Sequence, residues 1–322
     1  MIMKDKLIVS SSPHLRSRRT TTGIMLDVII AMMPALIASI IFFGYRAAIL
    51  IAVCVATCIV AEFVSRKVMK RENTIFDLSA VVTGILLAFN LPAALNPVMA
   101  AIGSVIAIIV VKQMFGGLGQ NFVNPALTAR IVLMVSFPTP MTTWNEPFTL
   151  WGAWGADATT TATALGGQNV SLLDMFLGNH AGSLGETCAL ALIVGGIYLV
   201  IRKVITPIIP LCYIGTVALF ALIFGAATGE NIGVYILTHL LSGGLMLGAI
   251  FMATDYATTP INWKGKIIFG IGCGILTMVI RLFGSLPEGV SFSIIIMNIL
   301  TPLIEKATRP RPFGKERKQN EV

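Results

Sequence analysis

Three stretches of this chain carry side chains whose types and spacing can do chemistry. The first is Asp157-Ala158-Thr159-Thr160-Thr161-Ala162-Thr163-Ala164-Leu165. Alone it reads as a threonine-rich surface loop, with no metal-binding or nucleotide-binding motif beside it. Threonine is also β-branched, so a short strand or a plain surface loop accounts for the same residues. The second stretch runs from Lys112 to Ala126 and combines Gly116, Gly117 and Gly119 with Asn121 and Asn124. Glycines let a backbone turn tightly and approach a ligand. Pro125 suits the first position of a helix, and the amides at that helix start can meet a carbonyl or an anion. An ordinary interhelical turn is the competing reading. The third stretch, Gly243 to Pro260, ends an apolar run in Thr254-Asp255. An acid there borders a cofactor or an ion path, or else it is an exposed residue at a helix end. Small residues at Gly244 and Gly248 permit close helix packing.

Single polar residues complete the inventory. Arg130 lies inside an apolar segment, where a charge is costly and often functional. Asp27 and Glu62 can pair with loop arginines. His239 stands alone, which favours a packed, hydrogen-bonded histidine over a metal ligand. The five cysteines all fall in apolar segments. Cys54 and Cys58 are one helical turn apart, so the set reads as buried thiols without metal or disulfide roles.

These residues need elements to hold them, and composition says which. The chain of 322 residues is 56% hydrophobic and 12% charged, against about 25% charged in soluble domains. The apolar residues come in runs and not in alternation, which favours helices over barrel strands. Candidate spans are 24–43, 48–65, 78–91, 97–114, 124–138, 187–201, 205–225, 233–253, 266–282 and 290–304. The first run is too long for a signal-peptide core. The expected fold is an all-α polytopic membrane protein of about ten helices, several of them short or broken.

The net charge of +8 is no nucleic-acid signal, because the basic residues cluster between apolar runs. Lys4, Lys6, Arg16, Arg18 and Arg19 precede the first span, and Arg66, Lys67, Lys70 and Arg71 follow the second. Arg202 and Lys203 follow the sixth, and Lys306, Arg309, Arg311, Lys315, Arg317 and Lys318 follow the tenth. In a ten-span trace all four clusters fall on one side, hence the cytoplasm. The link 139–186 holds no Lys or Arg and belongs outside; Arg46 and Arg281 are minor conflicts. Both termini are therefore expected in the cytoplasm.

An internal repeat is also visible. Pro92 and Pro260 are separated by the same interval as Phe115-Gly116-Gly117-Leu118 and Phe283-Gly284-Ser285-Leu286. Five helices per unit is an odd number, so the halves must enter the membrane in opposite senses. The segmentation is a terminal segment 1–23, a five-helix unit 24–138, the outer link 139–186, a second unit 187–304 and a basic tail 305–322.

With these stretches in view the chain resembles a family of membrane subunits. The family includes the D subunits of the Rnf complexes and the B subunits of the Na+-translocating NADH:quinone reductases. Ser12-Pro13-His14, Asp77–Gly84, Lys112–Ala126, Gly182–Thr187, Ala253-Thr254-Asp255 and Pro287–Val290 with Asn298 carry the resemblance. The chain lacks the longer N-terminal extension usual in the reductase member, which favours Rnf. The resemblance implies electron transfer between ferredoxin and NAD coupled to Na+ or H+ transport across a prokaryotic cytoplasmic membrane. It implies FMN bound by a phosphoester to the last threonine of a Ser-Gly-Ala-Thr motif, which falls on Thr163. Asp157 lies upstream, Thr160, Thr161 and Ala162 fill the motif, and Leu165 lies downstream. Thr160 keeps the hydroxyl of the family serine, while Thr161 departs from its glycine. A flavin transferase working outside the cytoplasm is implied as the maturation partner, and flavin and iron–sulfur subunits as electron partners. A second, noncovalent flavin (riboflavin) is a further implication. Asn121, Asn124 and Arg130 are the candidate ring partners, and Thr254 and Asp255 the candidate ion path. No dinucleotide fingerprint and no cluster-binding cysteine spacing is present, so NAD and ferredoxin must meet other subunits. The rival reading is a cofactor-free channel or secondary transporter with the urea-channel-like fold.

Overall fold

Backbone placed in hydrocarbon has no water to bond, so each N–H and C=O must be satisfied within the chain. Helices do this here. The computed structural model describes residues 19–149, 160, 161, 163, 165, 170–229, 231–284 and 289–310. The first half holds α1 (Thr21–Phe43), α2 (Tyr45–Val68), α3 (Ser79–Phe89), α4 (Pro97–Val105) and α5 (Pro125–Ser136). α4 runs on as a π-helix over Ile106–Gln113. The outer link holds α6 (Pro138–Thr142), β1 (Trp144–Asn145), β2 (Thr160–Thr161) and α7 (Leu172–Leu177). The second half holds α8 (Ala189–Ile201), α9 (Ile208–Thr228), α10 (Ile232–Leu241), α11 (Leu245–Leu247), α12 (Trp263–Phe283) and α13 (Val290–Thr308). A second π-helical turn, Gly248–Met252, continues α11.

The fold is that of an all-α, multi-pass membrane protein. On α1, Leu26, Ile30, Met33, Ile37 and Ile41 are exposed while Met32, Ala35 and Phe43 are buried. A helix apolar on both its inner and outer faces belongs in lipid. Among the described residues, five helices (α1, α2, α9, α12 and α13) are long and apolar enough to cross alone, and the pair α10–α11 makes six if taken as one bent span. α3, α4 with its π extension, α5 and α8 are shorter apolar helices.

Asn-Pro pairs open two of these helices. Asn96 caps α4 by accepting from Val98 N at 2.9 Å, with Pro97 at the helix start. Asn124 caps α5 by accepting from Ala126 N and Leu127 N, and Pro125 takes the first helical position as expected. The Asn oxygen satisfies donors that the first turn leaves open.

Packing follows the interval that separates Pro92 from Pro260. α2 packs on α4 and α9 on α12; α4 packs on α5 and α12 on α13; α3 packs on α5 and the Gly248–Met252 turn on α13. The members of each pair of contacts are related by that interval in sequence. Across the halves, α1 meets α8 and α5 meets α13.

Two expectations need correction, and one is located. The run 233–253, expected to be broken, bends by 58° between α10 and α11. Gly243 and Gly244 stand at the bend with φ of 71° and 68°, a region that side chains avoid. Gly244 therefore serves conformation and not packing, whereas Gly248 does pack, with no room for a methyl group beside Val290. Finally, Glu62 pairs with Lys112 of the π-helix and not with a loop arginine. The expected partner for Asp27 does hold, since Arg202 lies 3.2 Å away.

Candidate functional site

The two π-helical segments end at one cavity. Such turns carry one extra residue and redirect the side chains that follow. Here Ile106–Gln113 delivers Lys112, and Gly248–Met252 delivers Phe251 and then Thr254 and Asp255. The cavity has about 810 Å³ of empty space, part of it open to solvent. Its walls are mostly apolar, among them Val28, Leu86, Leu199 and Phe251, while Ser79, Thr83, Asn121, Asn124, Thr254 and Asp255 supply polar groups. A concave apolar site with a few placed polar groups is the usual form of a ligand pocket. Sequence reading treated Asn121 and Asn124 as one candidate site and Thr254 and Asp255 as another; the fold joins them.

Hydrogen bonds hold these residues in place. Asn124 Nδ2 donates to Met252 O at 3.3 Å, which ties the start of α5 to the end of the second π turn. Asn121 Nδ2 donates to Val123 O at 3.1 Å. Thr254 Oγ1 donates to Ile250 O at 2.7 Å, and Thr258 Oγ1 donates to Asp255 Oδ2 at 3.3 Å. At one edge Lys112 Nζ donates to Glu62 Oε2 at 3.0 Å and to Ser79 Oγ at 2.7 Å. Gln113 Nε2 and Thr74 Oγ1 also donate to Glu62 Oε1, at 3.0 and 2.9 Å. A buried pair is tolerable when its remaining lone pairs are met in this way. No sequence signal linked Glu62 to Lys112.

Arg130 does not line this cavity. Its Nη1 donates to Asn90 Oδ1 and to Ser291 Oγ, both at 3.0 Å. Asn90 in turn donates to Leu86 O at 2.6 Å and to Met252 Sδ at 3.5 Å. Arg130 is thus a bridge from α5 to the end of α3 and the start of α13. Asn298 makes a matching bridge. With its amide turned to satisfy its neighbours, it donates to Thr258 O at 3.2 Å and accepts from Asn124 N at 3.2 Å. Arg130 and Asn298 are separated by the same interval as the two prolines, and so are Asn90 and Thr258.

The segment Gly182–Thr187 docks on the end of α3. Leu184 N donates to Leu91 O at 3.1 Å and Gly185 N to Phe89 O at 2.9 Å. Only glycine fits at 185, because a Cβ would overlap the Phe89 ring. Glu186 is buried and accepts from Ser183 Oγ at 2.5 Å, and its charge acts on both Arg130 and Arg281. Nearby, burial pushes the His180 imidazole below its usual pKa against the opposing pull of Glu186. Arg281 donates to His239 O, Ser242 O and Gly243 O at 2.7, 3.0 and 3.1 Å. These are carbonyls that the end of α10 leaves open, so the arginine stabilises the bend. His239 is buried against Tyr235, with ring centroids 4.5 Å apart.

The threonine stretch forms the short strand that β-branching allowed. Thr161 pairs with Trp144 and Thr160 with Asn145 in an antiparallel ribbon. Thr163 follows it and is 7% exposed, and Leu165 lies against the bend at Gly243. Asp157 and Ala162 lie outside the described residues, as does the Pro287-Glu288 part of the resemblance.

Residues 8–314 match the model of the NQR2, RnfD, RnfE family. The chain is 48% identical to the D subunit of the Na(+)-translocating ferredoxin:NAD(+) oxidoreductase complex of Acetobacterium woodii, over 96% of this chain and 95% of that one. It is 44% identical to the proton-translocating counterpart of Clostridium ljungdahlii, over 98% of each chain. It is 34% identical to the D subunit of the ion-translocating oxidoreductase complex of Escherichia coli, over 95% of this chain and 98% of that one. Taken with the end-to-end match, these relatives settle the kinship: the chain belongs to the NQR2, RnfD, RnfE family.

Proposed function

We propose that this chain is the D-type membrane subunit of an ion-translocating ferredoxin:NAD+ oxidoreductase, carrying electrons through FMN esterified to Thr163. The observation that carries the reading is the near full-length identity to subunits of that name. Thr163, buried beside a two-stranded ribbon, supports the position of the tether. Bound flavin supplies reversible electron transfer that no side chain offers. The chain's own part is to hold it. A covalent link keeps the effective concentration at the site high. Other subunits of the complex pass electrons to and from this site, and a flavin transferase outside the cytoplasm installs the cofactor. The absence of Lys and Arg from 139–186 supports an outer location for the link, with both termini in the cytoplasm.

The inner cavity suits the noncovalent flavin. Its apolar walls match the faces of a planar ring. Asn121 and Asn124 supply amide groups and Asp255 an acceptor for a ring edge. Two inverted five-helix halves account for the packing that recurs at one fixed interval, and for the paired bridges of Arg130 and Asn298. That architecture gives ten spans, with α3 and the bent α10–α11 as the broken members.

The test is direct. The protein co-expressed with its transferase is denatured and run on a gel. The wild-type band is expected to fluoresce and the Thr163→Val band to be dark, with an intact mass lower by one FMN adduct. A fluorescent Thr163→Val band moves the tether, and a dark wild-type band removes the covalent cofactor from the reading.

A further inference from the structure

We propose that the cleft between α8 and α9 seats an acyl chain of an anionic phospholipid, whose headgroup is held by the basic link joining the two helices. These helices are consecutive, yet they make little direct contact; each leans instead on the Gly248–Met252 turn. The gap between them has about 830 Å³ of space, part of it open to the surroundings, and every residue lining it is apolar. Ile193, Ile197 and Ile201 form one wall, Pro210 and Leu211 the other, and Ile250 the floor. Gly196 sets the depth, because a side chain there would strike Ile250. The wall from Ile193 to Ile201 runs about 12 Å at the rise of an α-helix. Ile197, Ile201 and Leu211 are each more than half exposed, so the cleft opens on the outer surface of the helices.

The mouth of the cleft is cationic. Arg202 and Lys203 follow Ile201 directly and are exposed. Arg19 Nη1 donates to Lys203 O at 3.2 Å, and Lys266 Nζ donates to Thr206 Oγ1 at 3.2 Å. Arg19 and Lys266 therefore reach this link from separate segments and join Lys203, while the Arg202 guanidinium is turned to Asp27 on α1. Topology explains basic residues in a cytoplasmic link. It does not explain their convergence from distant segments on an apolar cleft. Basic groups beside an apolar groove select a lipid with a negative headgroup.

The whole complex is reconstituted into nanodiscs of phosphatidylcholine with a minor share of phosphatidylglycerol, extracted, and its retained lipids counted by native mass spectrometry. Wild type is expected to retain phosphatidylglycerol in preference to phosphatidylcholine. The variant Arg202→Gln/Lys203→Gln/Lys266→Gln is expected to lose that preference about tenfold or more. Leu211→Trp, which fills the cleft and keeps the charge, is expected to lower retention as well. Unchanged preference in both variants overturns the proposal. As a check that needs no variant, phosphatidylglycerol with a photoreactive group in its acyl chain is expected to label peptides within 193–214. Labelling confined to other segments rejects the site, as does cross-linking of Leu211→Cys to a neighbouring protein or a second copy.

Discussion

The two bridges at the centre of the molecule sit at corresponding places and differ in charge. Arg130 on α5 reaches Asn90 and Ser291, and Asn298 on α13 reaches Thr258 and Asn124 N. Both tie the end of a short segment in one half to the start of a helix in the other. Around the first stand Glu186 and Arg281. Around the second stand Asn124, Asp255 and the inner cavity. The broken backbone decides where a polar bridge is needed, because interrupted helices leave carbonyls and amides that something must meet. It does not decide the chemistry of the bridge. One half has taken a guanidinium, whose burial demands counter-charge, and the other an amide, which demands only partners.

Several outcomes sharpen or break this contrast. The largest effect concerns flavin. Thr163→Val is expected to reduce covalent flavin to background while the acid-extractable flavin of the inner cavity stays at its wild-type level. Parallel loss of both in a flavin assay breaks the division into two sites. Next is the buried pair beside the cavity. Lys112→Met leaves Glu62 uncompensated and is expected to cost about 3–5 kcal/mol in unfolding, while Glu62→Leu/Lys112→Met comes back close to wild type. Destabilisation as large in the double variant shows that the pair is worth more than its burial costs.

The bridges themselves come third. Arg130→Met strands Asn90 Oδ1 and Ser291 Oγ and removes a charge facing Glu186, so a loss of about 3 kcal/mol is expected. Asn298→Leu is expected to cost about 1–2 kcal/mol, the value of a neutral buried group. Equal losses in thermal unfolding erase the distinction between charged and neutral bridges. A smaller effect is expected of Asp255→Asn, which keeps the shape of the cavity and exchanges a carboxyl for an amide: about tenfold weaker retention of noncovalent flavin, with the covalent fraction intact. The smallest is Thr160→Val. Its backbone pairs with Asn145, a role that valine fills as well, so the fluorescence of the denatured band is expected to stay within error of wild type.

The sequence by itself determined that the chain is helical and lies in a membrane, because charge-free runs of this length have no other way to satisfy their backbone. It also determined the start of α5, since Asn124-Pro125 is a local capping signal. The threonine stretch was legible as a site only through kinship, because hydroxyls in a loop look alike whether or not one carries a cofactor. Tertiary structure decided the rest. The bend at Gly243-Gly244 is invisible to hydrophobic periodicity, which reads a continuous and a broken helix alike; the carbonyls freed there are met by Arg281, 38 residues away. The pairing of Glu62 with Lys112 spans 50 residues and depends on a π turn that rotates Lys112 inward. Arg130 and Asn298 differ in charge and shape, so only their partners in the fold relate them. Contacts between distant segments are set by packing, and a linear pattern records only the faces that packing has to work with.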